Sequence, residues 1–398
     1  MGRPQGYEVV TFLISFIAFS FLTALVPSIF LLPRLELKRR TQVSLTVALF
    51  LISGRFLCSY VFAGSMFNPV WHPAVVFVWG MLDTALSILF FAQIPCYLFF
   101  RRLSVKWRRI VAALLVVMSV AATATGSYEC MKIPQVKEIT LCYKDLPSAF
   151  DGYRIAQLSD LHCSQITPRS RFEKIVQRTN EAKPDVICLT GDYVDGWVSQ
   201  IGYKLEPLDG FRAPDGVFAI PGNHEYYWDW KDWRKFLAGR NIAVLENTWA
   251  NIARGEDSLV VAGLADMAAS RPVTRAPDGS KRFEKSIEYQ HPDHVKTFSN
   301  APAGSFRILL YHRPISTLLA NRSCNVRLQL SGHTHGGAFP GLAWLVARCN
   351  ERHVRGLYKE GDLNLYVSPG TGQWAGFPIR ILNPSEITVF TLRRKTGD

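Results

Sequence analysis

Val9–Leu32 is a run of 24 residues without a charge. As a helix rising about 1.5 Å per residue it outreaches the roughly 30 Å hydrocarbon core of a bilayer. Ser44–Met66 and Pro73–Phe100 are long enough as well, and Ile110–Gly126 is a shorter fourth run. A secretory signal peptide has a much shorter apolar stretch and is not followed by others of its kind. About four transmembrane helices over residues 1–127 are therefore expected. The bilayer is the first partner of this chain.

The loops between these runs orient them. Arg34, Lys38, Arg39 and Arg40 lie in the first loop, and Arg101, Arg102, Lys106, Arg108 and Arg109 in the third. The second, Phe67–His72, has no Lys or Arg. Basic loops stay on the cytoplasmic side, so four spans place everything after residue 127 outside. This arrangement also accounts for the formal net charge of +13. Residues 1–127 hold 11 Lys+Arg and 3 Asp+Glu, a net of +8; the remainder holds 34 and 29, a net of only +5. The excess that suggests a polyanion ligand is mostly a topology signal, and nucleic acid is a disfavoured partner.

Two ionisable residues fall inside the spans, Arg55 and Asp83. Counted from Arg40 and Arg101 their depths differ by about 4–5 Å at helical rise. An ion pair joining the second and third spans is expected, because an unpaired charge at that depth is costly.

From Ser127 the pattern changes to short apolar runs punctuated by Gly, Pro and Asp. Residues 128–149 form a lead-in segment, and residues 150–398 form a second domain. Arg154–Leu158 and Asp185–Leu189 read as strands flanking an amphipathic helix at Arg169–Ala182. Further strands are expected at Gly216–Ile220, Leu259–Gly263, Phe306–Tyr311, Arg327–Leu330 and Leu363–Val367. Helices are expected at Trp228–Ala238 and Ile315–Asn321. Interleaved strands and helices imply α/β layers. Ala268–Asn300 is polar and weakly periodic, an insertion or long loop. Cys130 and Cys142 flank the lead-in segment and could pair in an oxidising compartment, although the scattered spacing of the 8 cysteines suits free thiols.

Five of the nine histidines lie in short polar motifs, each directly after an expected strand. The motifs are Asp160-Leu161-His162, Gly191-Asp192, Gly222-Asn223-His224-Glu225, His312 and Gly332-His333-Thr334-His335. Any one such histidine has an ordinary structural explanation; five, with two aspartates and an asparagine, do not. Strand ends of an α/β sheet are where ligand loops collect. Imidazole suits Zn or Fe, and carboxylate and amide oxygens suit harder cations such as Mn. In an extended segment residues i and i+2 share a side, so Asp160 with His162, and His333 with His335, should each reach one ion.

These motifs resemble the calcineurin-like metallophosphoesterase superfamily, whose pattern D-x-H, G-D, G-N-H-[DE], H and G-H-x-H occurs here in order. RIAQLSDLH, DVICLTGDYVDG, GNHEYY, GHTHGG, LYVSPGTG and FPIRILNPSEITVFTL are similar to the membrane-associated bacterial branch, and the spans resemble the transmembrane metallophosphoesterases of animals. The resemblance implies a layered α/β/β/α sandwich holding two divalent metal ions (Mn, Fe or Zn). Asp160, His162 and His335 would hold one; Asn223, His312 and His333 the other; Asp192 would bridge them. It further implies in-line attack on phosphorus by a hydroxide held between the metals, with His224 as the catalytic acid and Asp195 orienting it.

Departures narrow the substrate. Gly196 stands where the protein phosphatases of the superfamily have a phosphate-binding arginine, which disfavours phosphoproteins. Asp195 stands where the purple acid phosphatases have a tyrosine ligand. A membrane-anchored phosphoesterase acting on a lipid-linked or envelope phosphoester, in a bacterial inner membrane with an extracytoplasmic catalytic domain, is the leading expectation. A pyrophosphatase acting on a nucleotide-linked lipid precursor and a non-catalytic envelope-binding membrane protein are the alternatives. Two further features invite a headgroup-facing reading: the basic cluster Arg352, His353 and Arg355, and the aromatic run Tyr226, Tyr227, Trp228, Trp230 and Trp233.

Overall fold

The computed structural model describes residues 6–63, 71–270, 290–315, 324–337 and 343–395. It divides into two compact units, Met1–Met131 with Ala375–Leu382, and Lys132–Trp374 with Asn383–Asp398.

In the first unit α1 (Gly6–Val26) continues through a π-helical turn, Pro27–Leu31, into a 3₁₀ turn, Leu32–Leu35. Then come α2 (Arg39–Ser53), α3 (Arg55–Ala63), α4 (Pro73–Phe100) and α5 (Val105–Met131). Three of the described helical stretches are long and apolar enough to cross a membrane: Ile17–Leu35, Pro73–Phe100 and Val105–Met131. The fourth run, short as an uncharged window, is thus part of a 27-residue helix. The backbone continues past residues whose long side chains can reach the interface, Lys106, Arg108 and Arg109. The run Ser44–Met66 is divided between α2 and α3 by a turn at Gly54, and residues 64–66 lie outside the described part.

Arg55 and Asp83 pair as their depths predict, at 3.3 Å and both buried. Arg55 has a second task that no local pattern reveals. Its guanidinium also donates to the carbonyls of Ala375, at 3.5 Å, and Gly376. The segment Ala375–Leu382 packs within the helical unit: Phe377 meets Phe56 with ring centroids 6.0 Å apart, and Arg380 N donates to Gly126 O at 2.8 Å.

The second unit contains two six-stranded sheets. The first has the order β1 (Gln135–Tyr143), β12 (Glu386–Arg394), β2 (Arg154–Leu158), β3 (Val186–Leu189), β4 (Val217–Ala219), β5 (Ile242–Val244). The second runs β10 (Gly356–Glu360), β11 (Leu363–Val367), β9 (Val326–Ser331), β8 (Phe306–Leu310), β7 (Asp257–Gly263), β6 (Thr248–Arg254). β2 through β5 are parallel, as are β7, β8, β9 and β11.

Ile155, Val186, Cys188 and Phe218 of the first sheet share one core with Leu259, Val261, Ile308 and Leu328 of the second. A further core that includes Val260, Ala262, Leu309 and Val326 draws on the alternate residues of the second sheet. α6 (Arg169–Glu181) buries Phe172, Ile175, Val176 and Thr179, the i, i+3, i+4, i+7 stripe of a helix with one face inward. The domain is the expected layered α/β/β/α sandwich. Every residue of β3 and of β11 is buried, as strands covered on both faces require.

No disulfide joins any of the eight cysteines. The expected helix at Ile315–Asn321 and residues 271–289 of the insertion lie largely or wholly outside the described part.

Candidate metal centre

The site loops follow the C-terminal ends of β2, β3, β4, β8 and β9. Their backbone departs from the expected geometry. Asp160 and His162 have φ of 52° and 44°, and His333 and His335 have 72° and 48°; Asp192, at 55°, is left-handed too. Neither D-x-H nor H-x-H is therefore an extended segment. The paired side chains converge through tight loops. Left-handed conformations at non-glycine residues cost energy, and they persist where surrounding structure over-determines them.

That surrounding structure is visible. His162 N donates to Asp192 O at 3.0 Å and Asp160 N to Gly191 O at 2.9 Å, locking the first two loops together. Glu225 accepts from Asp192 N at 2.9 Å, Tyr193 N at 2.6 Å and Gly222 N at 2.7 Å. One buried carboxylate thus satisfies three loop amides. Gly222 must be glycine, because a Cβ there would come within 2.2 Å of Asp192 Oδ1.

Six of the seven expected metal ligands come together. Asp160, His162 and His335 form one compact donor group, and Asp192, His312 and His333 another; each offers ligand atoms within 4.8 Å of one another. A third group, His162, Asp192 and His224, overlaps both. His162 Nε2 lies 3.1 Å from His335 Nε2 and 3.8 Å from Asp192 Oδ2, and His312 Nε2 lies 3.2 Å from the same Oδ2. Asn223, at the start of the short helix Asn223–Tyr227, is buried with its Oδ1 unpartnered. A buried acceptor without a donor is costly, and a cation would satisfy it. The donor set fits metal ions.

The electrostatics agree. Burial and the nearby Arg313 hold His333 well below the ordinary imidazole range, so it is a neutral donor. Burial would also lower His312, but Asp192 outweighs it and holds His312 up at about 10. Without metal a proton on His312 supplies the positive charge that Asp192 demands. Burial raises Asp160, whereas the histidines, chiefly His312, hold Asp192 well below the carboxylate range. His224 Nδ1 lies 2.5 Å from Asp195 Oδ1. Burial opposes the charged form of His224, yet Asp192 and Asp195 raise it to about 9.

Sequence reasoning missed three contributors. Trp374 stacks on His335, centroids 5.9 Å apart and rings within 18° of parallel. Arg313 pairs with buried Asp266 at 2.8 Å beside the site. Asn383 Nδ2 donates to His335 O at 2.5 Å and its Oδ1 accepts from Arg355 at 2.9 Å. Only Arg313, next to His312, carried a positional hint.

Within the two headgroup-facing features, His353 and most of the aromatic run have structural duties, while Arg352 and Arg355 are exposed. His353 is buried, its ring between Pro314 O and Glu360 at 3.0 Å each. Tyr226, Trp228, Trp230 and Trp233 are buried, and only Tyr227 remains half-exposed, its ring centroid 5.2 Å from that of His224.

The calcineurin-like phosphoesterase family matches residues 153–337. A Danio rerio transmembrane protein with metallophosphoesterase domain is 32% identical over 73% of this chain and 64% of its own length, so the chain spans less than two thirds of that relative. An uncharacterized metallophosphoesterase of Helicobacter pylori (strain ATCC 700392 / 26695) is 31% identical over 68% of this chain and 67% of its own. The uncharacterized metallophosphoesterase YkuE of Bacillus subtilis (strain 168) is 28% identical over 69% and 92%. The chain, with its apolar helical unit, belongs to the calcineurin-like phosphoesterase family.

Proposed function

We propose that the chain is a membrane-anchored phosphoesterase with two divalent metal ions, acting on a lipid-linked or other envelope phosphoester at the extracytoplasmic face of a bacterial inner membrane. The observation that carries the reading is the pair of three-residue donor groups. Asp160, His162 and His335 would hold one ion and His312, His333 and Asn223 the other, with Asp192 available to both. When bound, such metals act as Lewis acids toward a phosphoryl group and supply a nucleophile at neutral pH.

The protein's own residues do the rest. Asp195 takes the Nδ1 side of His224, so the Nε2 side, 3.8 Å from Asp192 Oδ2, carries the transferable proton. His224 donates it to the leaving oxygen. Asp195 orients that ring and stabilises its charge.

A lipid-linked substrate is supported by the apolar helices. It is supported too by Ala375–Leu382, which follows Trp374 in the chain and packs within the helical unit. Tethering enzyme and substrate to one surface raises their effective concentration.

The test is a screen of lipid extracts, nucleotides and a generic aryl phosphodiester with the Mn-loaded full chain, beside His224→Ala. Release of phosphate or of a phosphomonoester from a lipid, lost in the variant, is the expected result. Turnover of nucleotides alone would transfer the assignment to a soluble substrate, and no turnover would favour a binding role. A reporter fused after Asp398 checks the topology; a cytoplasmic signal would reverse it.

A further inference from the structure

A cavity of about 370 Å³ lies in the helical unit, lined by residues that include Phe30, Leu31, Arg34, Gln93, Tyr97 and Phe100. Two of its walls have a local cause. The π-helical turn Pro27–Leu31 widens the exit from α1 and places Phe30 and Leu31 on the cavity; such turns are recurrent at functional sites. The other wall is the last two turns of α4.

Polar groups interrupt the apolar lining at two depths. At the outer level Arg34 donates to Tyr97 Oη at 2.9 Å and to Phe30 O, and its guanidinium carbon lies 4.5 Å from the Tyr97 ring centroid. Those bonds leave other guanidinium donors unused. Among the described residues no carboxylate pairs with Arg34, and nearby Glu36 is paired with Arg108 at 4.0 Å. Gln93 lies four residues before Tyr97 on α4, about 6 Å deeper at helical rise. It is 6% exposed, and its amide nitrogen is buried without a hydrogen-bond partner. A cation without a counter-ion and a donor without an acceptor therefore lie one turn apart along one apolar cavity.

We infer that this cavity binds a single diacyl phospholipid with an anionic headgroup. Its phosphate pairs with Arg34, a glycerol-ester carbonyl accepts from Gln93, and an acyl chain lies along Phe30, Leu31 and Phe100. The charge selects an anionic lipid, and the offset between the two polar levels matches a phosphate above an ester. This site is separate from the metal centre and independent of the reaction proposed for it.

Native mass spectrometry of the delipidated full chain in detergent, titrated with phosphatidylglycerol, phosphatidylcholine or glycerol 3-phosphate, tests the inference. One phosphatidylglycerol should be retained about tenfold more tightly than phosphatidylcholine, with no retention of glycerol 3-phosphate. Arg34→Ala and the similarly sized Gln93→Leu should each weaken retention about tenfold, the scale of a lost charge-assisted or buried hydrogen bond. Lys38→Ala, in the same loop outside the cavity, should not. Equal losses in Lys38→Ala and Arg34→Ala would reduce the effect to general attraction between a basic loop and anionic lipid, and overturn the site. Equal retention of both lipids, retention of glycerol 3-phosphate, or a dimer lost in Arg34→Ala would also overturn it. Unfolding temperatures measured without lipid identify a variant that has lost its fold; Gln93→Leu then decides.

Discussion

Asp195 holds two histidines at once: its Oδ1 lies 2.5 Å from His224 Nδ1 and its Oδ2 lies 3.2 Å from His162 Nδ1. A single buried carboxylate thus couples the proposed acid to a proposed metal ligand. The histidines outweigh burial and hold Asp195 down at about 2, so it is an anion throughout the working range.

Asp195→Asn should consequently lower His224 from about 9 toward its ordinary value, as read by NMR titration of the metal-free protein. The sign for stability follows. A raised histidine pKa contributes stability that is fully present below about 6.5 and lost as pH rises through the folded value. The difference in stability between the native protein and Asp195→Asn should be greatest between about pH 4 and that point, no more than about 3 kcal/mol. It should shrink as pH passes 9, and shrink again in acid as Asp195 itself takes up a proton. A difference that grows with pH would show that Asp195 does not act through His224.

Metal uptake should release protons. His312 is held at about 10 without metal and must become neutral to donate to an ion. Titrating Mn into the chelator-treated protein near pH 7.5, in buffers of different ionisation enthalpy, should give on the order of one proton released. His312→Ala should remove most of that release and weaken binding. An unchanged heat in every buffer would mean that His312 is already neutral.

The extent to which this site was legible differs by level. The ligand types and their order along the chain stood in the motifs, because each residue contributes its own donor atom. The backbone that brings them together did not. D-x-H looks extended, yet Asp160 and His162 are both left-handed, a conformation imposed by bonds to the Gly191 and Asp192 loop. The lead-in segment likewise hid the edge strand β1, where all but two of the nine residues are at least partly exposed. Its pairing with β12, roughly 250 residues later, is parallel and leaves no local signature. Trp374 and Asn383 reach His335 from 39 and 48 residues further along the chain, again beyond any local pattern.

Glu225→Gln tests that loop scaffold. It keeps the size of the side chain but exchanges a carboxylate accepting three amides for a carbonyl and an NH₂ facing donors. Hydrogen bonds to charged groups contribute about 1.5–3 kcal/mol each, and a buried unpaired donor costs a similar amount. The variant should unfold at least 5 °C lower in its metal-free form and bind Mn more weakly, while His224→Ala should retain metal binding. Calorimetry and metal titration separate the two. Unaltered unfolding in Glu225→Gln would assign loop rigidity to Gly222 and the backbone bonds alone.

Arg55 and Asp83 make an unequal pair. Asp83→Asn removes one partner, but Arg55 keeps the carbonyls of Ala375 and Gly376. Arg55→Met leaves Asp83 buried and unpaired and removes those carbonyl contacts as well. Breaking a buried pair from one side costs about 3–5 kcal/mol, so Arg55→Met should lower abundance in membranes more than Asp83→Asn does. The double variant Arg55→Met with Asp83→Leu removes both charges and should regain part of the loss. It should not regain all of it, because Ala375 and Gly376 still lack their donor. Limited proteolysis should then cut more readily within residues 375–382 in the double variant than in the native chain. Equal protease resistance would mean that the segment is held by Phe377 and Arg380 without help from Arg55.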